Sequence, residues 1–189
     1  MIRCFLAINL STEAERFLSR SIEELRGLYR KKVKWVRPEN CHLTLKFLGN
    51  VEEGTINDVE SKVRQISSTY SPFEITLGGT GVFPNPRFPK VLWFGLKGEL
   101  ASLRQLHRDI EQGLTCFGFE PDNRPFMPHV TVGRVKSRSW KTSELEKFLK
   151  IDPPPLEMAI EKIHLYQSIL HPGGPEYRSL ASFPLIKKR

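Results

Sequence analysis

The sequence predicts an α+β fold built from a duplicated β-α-β-α-β unit, with two antiparallel-rich sheets lining a central cleft and helices outside. Three observations predict it. Strand-like and helix-like apolar periodicities follow one another in the same order twice along the chain. A His-x-Thr motif stands at His42-Leu43-Thr44 and again 87 positions later at His129-Val130-Thr131. Between the two, Gly78 to Pro89 concentrates Pro and Gly and reads as a connector.

The elements follow in order. Arg3 to Leu10 is a short apolar run suited to a strand. Thr12 and Glu15 then form a Thr-x-x-Glu capping box, and Ala14, Phe17, Leu18, Ile22, Leu25 and Leu28 follow at helical spacing. In His42 to Gly49 the apolar positions 43, 45 and 47 alternate with polar ones, which is strand periodicity. Ile56, Val59, Val63 and Ile66 mark a second helix. Phe73 to Phe83 reads as a third strand, with Gly78-Gly79 as a bulge.

The order then restarts. Lys90 to Leu96 suits a strand, and Leu100, Leu103, Leu106, Ile110 and Leu114 mark a helix. His129 to Val132 alternates as a strand, Ser143, Leu145, Phe148 and Leu149 suggest a short capped helix, and Leu156 to Leu170 is extended. Phe5 to Leu92 also spans 87 positions, whereas the third strands match at 83, ending in Val82-Phe83 against Leu165-Tyr166. The repeat halves are expected at about 1–83 and 90–170, with a C-terminal segment 171–189. The Phe83 to Pro89 connector is too short to separate independent domains, so a single bilobal domain over 1–189 is expected.

Composition narrows the class. With 189 residues, 39% hydrophobic and 26% charged, the chain is not disordered, collagen-like or membrane-spanning. No apolar run approaches the ~20 residues a transmembrane helix needs. Met1 to Leu10 carries one basic residue and reads as a strand rather than a secretion signal. A chain this long buries roughly 70% of its unfolded surface, so folding needs no disulfide or metal. Cys4, Cys41 and Cys116 are widely spaced, which fits reduced, buried thiols in a cytoplasmic protein. The net charge of +8 favours a polyanionic partner without specifying one. Lys187-Lys188-Arg189 reads as a solvated tail.

Chemistry is expected where the repeat is strictest. Strand residues two apart share a face and lie roughly 6.6 Å from each other. His42 and Thr44 therefore point together, as do His129 and Thr131. Across a cleft the two pairs would supply two imidazoles and two hydroxyls. Imidazole ionises near neutrality, so one copy can act as base and the other as acid on opposite sides of a phosphorus. Threonine hydroxyls can donate to the non-bridging oxygens. A single His-x-Thr says little, because a polar pair on a strand face is common; two copies at matching repeat positions say much more. A zinc site lacks a carboxylate or Cys at ligand spacing, and a serine nucleophile lacks a Gly-x-Ser-x-Gly elbow. His107, His164 and His171 read as structural or solvated.

The two motifs resemble those of a known family. His42-Leu43-Thr44-Leu45-Lys46-Phe47-Leu48-Gly49 and Arg124-Pro125-Phe126-Met127-Pro128-His129-Val130-Thr131-Val132 look like the motifs of the two-histidine phosphoesterases. More narrowly they resemble the RNA 2′,3′-cyclic phosphodiesterases, historically called 2′-5′ RNA ligases. Arg3-Cys4-Phe5-Leu6-Ala7-Ile8 and Leu165-Tyr166-Gln167-Ser168 fit the same pattern, and Val132-Gly133 stands where a larger aliphatic pair is frequent. The resemblance implies that both motifs line the cleft and that a 2′,3′-cyclic phosphate at an RNA end is opened to a 2′-phosphate, with reversible 2′-5′ joining. It also implies His42 as proton donor to the departing oxygen and His129 as the base that activates water. The residues alone do not assign which imidazole plays which part.

Thr44, Thr131, Arg124, Arg134 and Phe126 are the expected substrate contacts. Arg37 and Lys46 are weaker candidates for phosphate, and Phe5 is an alternative to Phe126 for stacking a base. No metal or cofactor is expected. The expected partner is RNA with a 2′,3′-cyclic phosphate end, met by a cytoplasmic monomer with no membrane association. The rival readings are a non-catalytic RNA-end-binding protein and a phosphodiesterase for 2′-5′ oligonucleotides or other cyclic nucleotides.

Overall fold

Alternation decides the first strand. In β1 (Ile2–Asn9), Cys4, Leu6 and Ile8 join the main hydrophobic core, while Phe5, Ala7 and Asn9 occupy the other face. A computed structural model describes the backbone of residues 1–136 and 142–186, and the side chains there except those of Arg30 and residues 142–144. The tail Lys187-Lys188-Arg189 and the capping role read for Ser143 fall outside the described residues.

The order continues with α1 (Thr12–Tyr29), β2 (Val33–Trp35), β3 (His42–Val51), α2 (Glu53–Ser67) and β4 (Phe73–Phe83). Then come β5 (Val91–Gly98), α3 (Leu100–Gly113), β6 (His129–Val135) and α4 (Thr142–Leu149). Finally β7 (Glu157–Ile160), β8 (Lys162–His171) and β9 (Gly174–Pro184) close the chain. The Gly78-Gly79 bulge is present as a register shift between Leu77 and Thr80 in the β4–β5 ladder.

Several local expectations are corrected. Ser11, not Thr12, caps α1: its Oγ accepts from the Ala14 amide at 3.3 Å. The buried stripe of α1 ends on Tyr29, leaving Leu28 exposed, because Leu18, Ile22, Leu25 and Tyr29 keep the 3.6-residue period. Cys4 and Cys41 are buried as expected, but Cys116 is exposed. The extended segment after Leu156 breaks at Glu161 into β7 and β8, and the C-terminal segment contains β9, which pairs with β8 along its length. The short β2, also unread, pairs with β6.

All strand pairs described are antiparallel, and they form one curled path, β7-β4-β5-β6-β3-β1-β8-β9, with β2 beside β6. The expected two sheets are two wings that join through the Leu43–Val130 pair of β3 and β6. Each wing takes its third strand from the other half of the sequence: β4 pairs with β5, and β8 with β1. The first strands correspond at 86 positions rather than 87, since Ala7 faces Thr44 and Trp93 faces Thr131. Aligning Phe5 with Leu92 would set a residue packed on His42 against one wholly inside the core.

Candidate active site

The two histidine strands carry the same irregularity. In β3, Thr44 faces Ala7 but Lys46 faces Leu6, so Leu45 has no partner across the ladder. In β6, Thr131 faces Trp93 but Gly133 faces Leu92, so Val132 is likewise extra. Each bulge puts two successive residues inward, Leu45-Lys46 and Val132-Gly133, and so reverses the alternation. The fifth residue after each histidine therefore returns to the histidine face. On β3 that residue is Phe47, 68% exposed and 6.1 Å from the Phe5 ring; on β6 it is the exposed Arg134. Simple alternation had placed Phe47 inside with Leu43 and Leu45, and the bulge is why it is not.

Both imidazoles are held in the same way. His42 Nδ1 lies 2.8 Å from the Asn40 carbonyl, and His129 Nδ1 lies 2.7 Å from the Met127 carbonyl. A carbonyl only accepts, so each Nδ1 carries the proton and donates it to the residue two positions back. Each neutral ring thus keeps its Nε2 lone pair free, with no partner for it among the described residues. Thr44 and Thr131, one strand step further on, are half-buried on the same face.

The walls around the rings differ. His42 stacks on Phe5 at 4.8 Å and meets the edge of Tyr177 at 5.3 Å. His129 meets Phe83 edge-on at 4.9 Å and lies 6.0 Å from Trp93. These apolar neighbours disfavour the charged imidazolium. Burial pulls His42 down to about 4, opposed by its bond to Asn40 and reinforced by His129. Burial also lowers His129, opposed by the Met127 bond and reinforced by the Arg134 guanidinium. His129 is thus near enough to act on His42, and Arg134 near enough to act on His129.

The remaining candidates separate. Arg134 follows His129 on the same face of β6, where its charge acts on His129. Arg124 is exposed on the loop before β6 and forks onto its neighbour Asp122, with Nε and Nη2 at 2.9 and 2.6 Å from the carboxylate. Phe126 spends one ring face on His107, parallel at 3.8 Å. Lys46 is corrected outright: it is buried and paired with Glu111 at 2.6 Å, on the inward side of its bulge and away from any phosphate on the histidine face. Arg37 is exposed beside the Pro38–Asn40 turn. Among the unforeseen residues, Tyr177 comes from β9, and Tyr166 donates to Asn9 Oδ1 at 2.9 Å. A cavity of about 160 Å³ beside His42 is lined by Asn9, Asn40, Tyr166 and Tyr177, among others. The His-x-Thr spacing, Arg134 and Phe5 were visible in the sequence; Tyr177, Phe83 and Trp93 come from strands whose pairing carries no local signal. Among the described residues, no three His, Cys, Asp or Glu side chains gather as a metal site, and no helix is long and apolar enough to cross a membrane.

Strands β3 and β6 each present an imidazole and a hydroxyl on one face of a curled antiparallel sheet, and together they make the candidate site. Residues 13–171 match the family model described as the 2'-5' RNA ligase superfamily, and the chain belongs to that superfamily. It is 36% identical to an RNA 2',3'-cyclic phosphodiesterase of Methanothermobacter thermautotrophicus, over 97% of this chain and 99% of the relative. An RNA 2',3'-cyclic phosphodiesterase of Thermotoga maritima is 35% identical over 95% of this chain and 93% of its own. Among solved structures, TT0787 of Thermus thermophilus superposes with a TM-score of 0.82 at 28% identity, covering 97% of this chain and 98% of that one. E. coli LigT complexed with 3'-AMP gives 0.77 at 25% identity, covering 98% and 99%.

Proposed function

We propose that this protein is a phosphoric diester hydrolase that opens RNA 2′,3′-cyclic phosphate ends to 2′-phosphates by two-histidine acid–base catalysis without a metal. One observation carries the reading. Both imidazoles donate Nδ1–H to a carbonyl and keep Nε2 free on a shared face beside a threonine hydroxyl. Relatives named RNA 2',3'-cyclic phosphodiesterase over nearly the whole chain support the substrate class.

Atoms and protons balance across the proposed step. His129 Nε2 takes a proton from water as the water oxygen bonds to phosphorus. The P–O3′ bond breaks, and His42 Nε2–H protonates O3′ as it leaves. The product is a 2′-phosphate with a free 3′-hydroxyl. Thr44, Thr131 and Arg134 hold the non-bridging oxygens, whose charge grows in the transition state. Both rings are lowered in the free protein, so the phosphate anion must itself favour the protonated His42 when bound. Ligation is the same path in the same direction with an RNA 5′-hydroxyl in the place of water: O5′ bonds to phosphorus as it gives its proton to His129, the P–O3′ bond breaks, and His42 protonates O3′. Cleavage of the 2′-5′ linkage is the reverse, with the 3′-hydroxyl attacking, O5′ leaving and the two imidazoles exchanging roles. Arg124, Phe126, a monomeric state and a cytoplasmic location remain part of this proposal.

The test is incubation with a nucleoside 2′,3′-cyclic phosphate in chelator, with the phosphate isomers separated. Production of the 2′-phosphate, lost in His42→Ala and in His129→Ala, is the expected result. No turnover would leave the non-catalytic RNA-end binder; turnover confined to 2′-5′ oligonucleotides would move the substrate class.

A further inference from the structure

Beneath the histidine face lies a buried polar cluster that the reaction does not use. The bulge in β3 turns Lys46 inward, where its Nζ donates to Glu111 Oε2 on α3 at 2.6 Å and to the Glu120 carbonyl at 3.0 Å. The same Glu111 Oε2 accepts from the Asp122 amide at 3.0 Å. Glu111 Oε1 lies 3.6 Å from His107 Nε2, and the His107 ring stacks on Phe126. Glu120, Asp122 and Phe126 all belong to the irregular segment 118–128 that leads into β6, and its Met127 carbonyl holds His129 Nδ1. At the matching place in the other half, four residues after His129, stands Gly133, which has no side chain to do this.

A buried ion pair is poor value for stability alone, because two desolvated ions of this kind are commonly replaceable by apolar side chains without loss. What the pair does here is geometric. It pins a segment with no ladder of its own at three points, within a few residues of the carbonyl that orients an imidazole. Lys46 also sits four residues beyond His42 on one strand, so the pin ties the segment serving His129 to the strand that carries His42.

We propose that Lys46 and Glu111 are positioning residues for His129: their buried pair fixes segment 118–128 so that the Met127 carbonyl holds Nδ1–H and aims Nε2 at the substrate. The proposal rests on the reading of His129 as a reacting imidazole. Displacing a reacting group slightly costs rate rather than binding, so Glu111→Gln and Lys46→Met should each lower kcat on cytidine 2′,3′-cyclic phosphate by about 10- to 100-fold. KM should stay within about twofold of its starting value.

The deciding measurement is the imidazole ¹⁵N–¹H spectrum of the whole protein. The His129 Nδ1–H signal should be lost to exchange in both variants while that of His42 persists. The double variant Lys46→Met/Glu111→Met removes both charges at similar volume, so it should melt near the parent while kcat and the His129 signal stay lost. Parental kcat with an intact His129 signal in that double variant overturns the proposal, and so does equal loss of both histidine signals, which would mean general loosening. If the double variant does not fold, the isosteric Glu111→Gln carries the same readouts. If the parent protein fails to open the cyclic phosphate, the enzymatic reading falls, and the His129 signal alone still decides whether the pair positions the ring.

Discussion

The strands β3 and β6 run through the same sequence of environments and use it for different chemistry. Both place histidine and threonine on one face, bulge after the threonine, and return the fifth residue to that face. The first wing spends its returned position on an aromatic ring, Phe47; the second spends it on a cation, Arg134. The packing beside them is also exchanged. Trp93 lies over Gly81 in one wing, whereas His164 faces Ala7 in the other, so a large ring over a small residue occurs twice with its sequence order reversed. The shared backbone thus supplies a symmetric pair of imidazoles and hydroxyls, and the side chains make the two ends of the candidate site unlike, which on the proposed reading matches the unlike ends of a phosphodiester.

Removing the symmetric part should have the largest effect. His42→Ala and His129→Ala should each lower kcat by about 10²- to 10⁴-fold, in line with loss of a general acid or base. The pair separates with a 4-nitrophenyl phosphodiester, whose leaving group needs no proton. His42→Ala should then recover most of its rate and His129→Ala should not; the opposite result would exchange their roles.

The asymmetric positions come next. Arg134→Ala removes a charge-assisted donor and should lower kcat by about 10²-fold, by analogy with loss of one donor to a developing oxyanion. Phe47→Ala should leave kcat in place and raise KM for a dinucleotide substrate roughly five- to tenfold, consistent with loss of a base-stacking contact. Equal effects of the two on kcat and KM would erase the distinction between the wings.

Bulge packing should show in stability. A Cβ on Gly133 would lie 2.6 Å from Val33 Cγ1 and 3.2 Å from the Trp35 ring, both on β2. Gly133→Ala should therefore destabilise by ~1–3 kcal/mol through overpacking, read as a lower Tm.

The smallest effects concern pH. Both imidazoles are lowered in the free protein, so kcat/KM should be bell-shaped with both inflections below 6.5. The profile falls on the alkaline side as the single required proton is lost, and on the acid side as the second ring protonates. The two inflections belong to the pair rather than to either residue. Stability should respond in a related way. With His42 lowered to about 4, the unfolded chain binds more protons between pH 6.5 and 4. Its contribution is therefore present above 6.5 and is lost as pH falls through that window, an effect that should shrink in His42→Ala when melting is followed against pH.

Much of this was legible because it is local. A short apolar run gave β1, alternation gave β3 and β6, helical spacing gave α1, α2 and α3, and paired glycines gave the β4 bulge. Matching His-x-Thr motifs marked the candidate site. The bulges after Thr44 and Thr131 were not legible, since nothing in Leu45-Lys46 or Val132-Gly133 says that both residues turn inward. Lys46 therefore read as a phosphate candidate and Phe47 as core. Tyr177 and the short β2 were hidden for another reason: an edge strand is defined by the neighbour it pairs with, and β9 has too little buried alternation to announce itself.

By itself the sequence determined that His42 shares a face with Thr44 and His129 with Thr131, because strand periodicity holds up to the bulges, and so it determined that each half offers one imidazole and one hydroxyl. Only the tertiary structure decided that β4 and β8 change wings, that β3 and β6 meet at Leu43 and Val130, and that Asn40 and Met127 fix both tautomers. Those outcomes depend on cross-strand register and on carbonyls outside the motif. Register is settled by which faces bury together, and no residue carries that information alone.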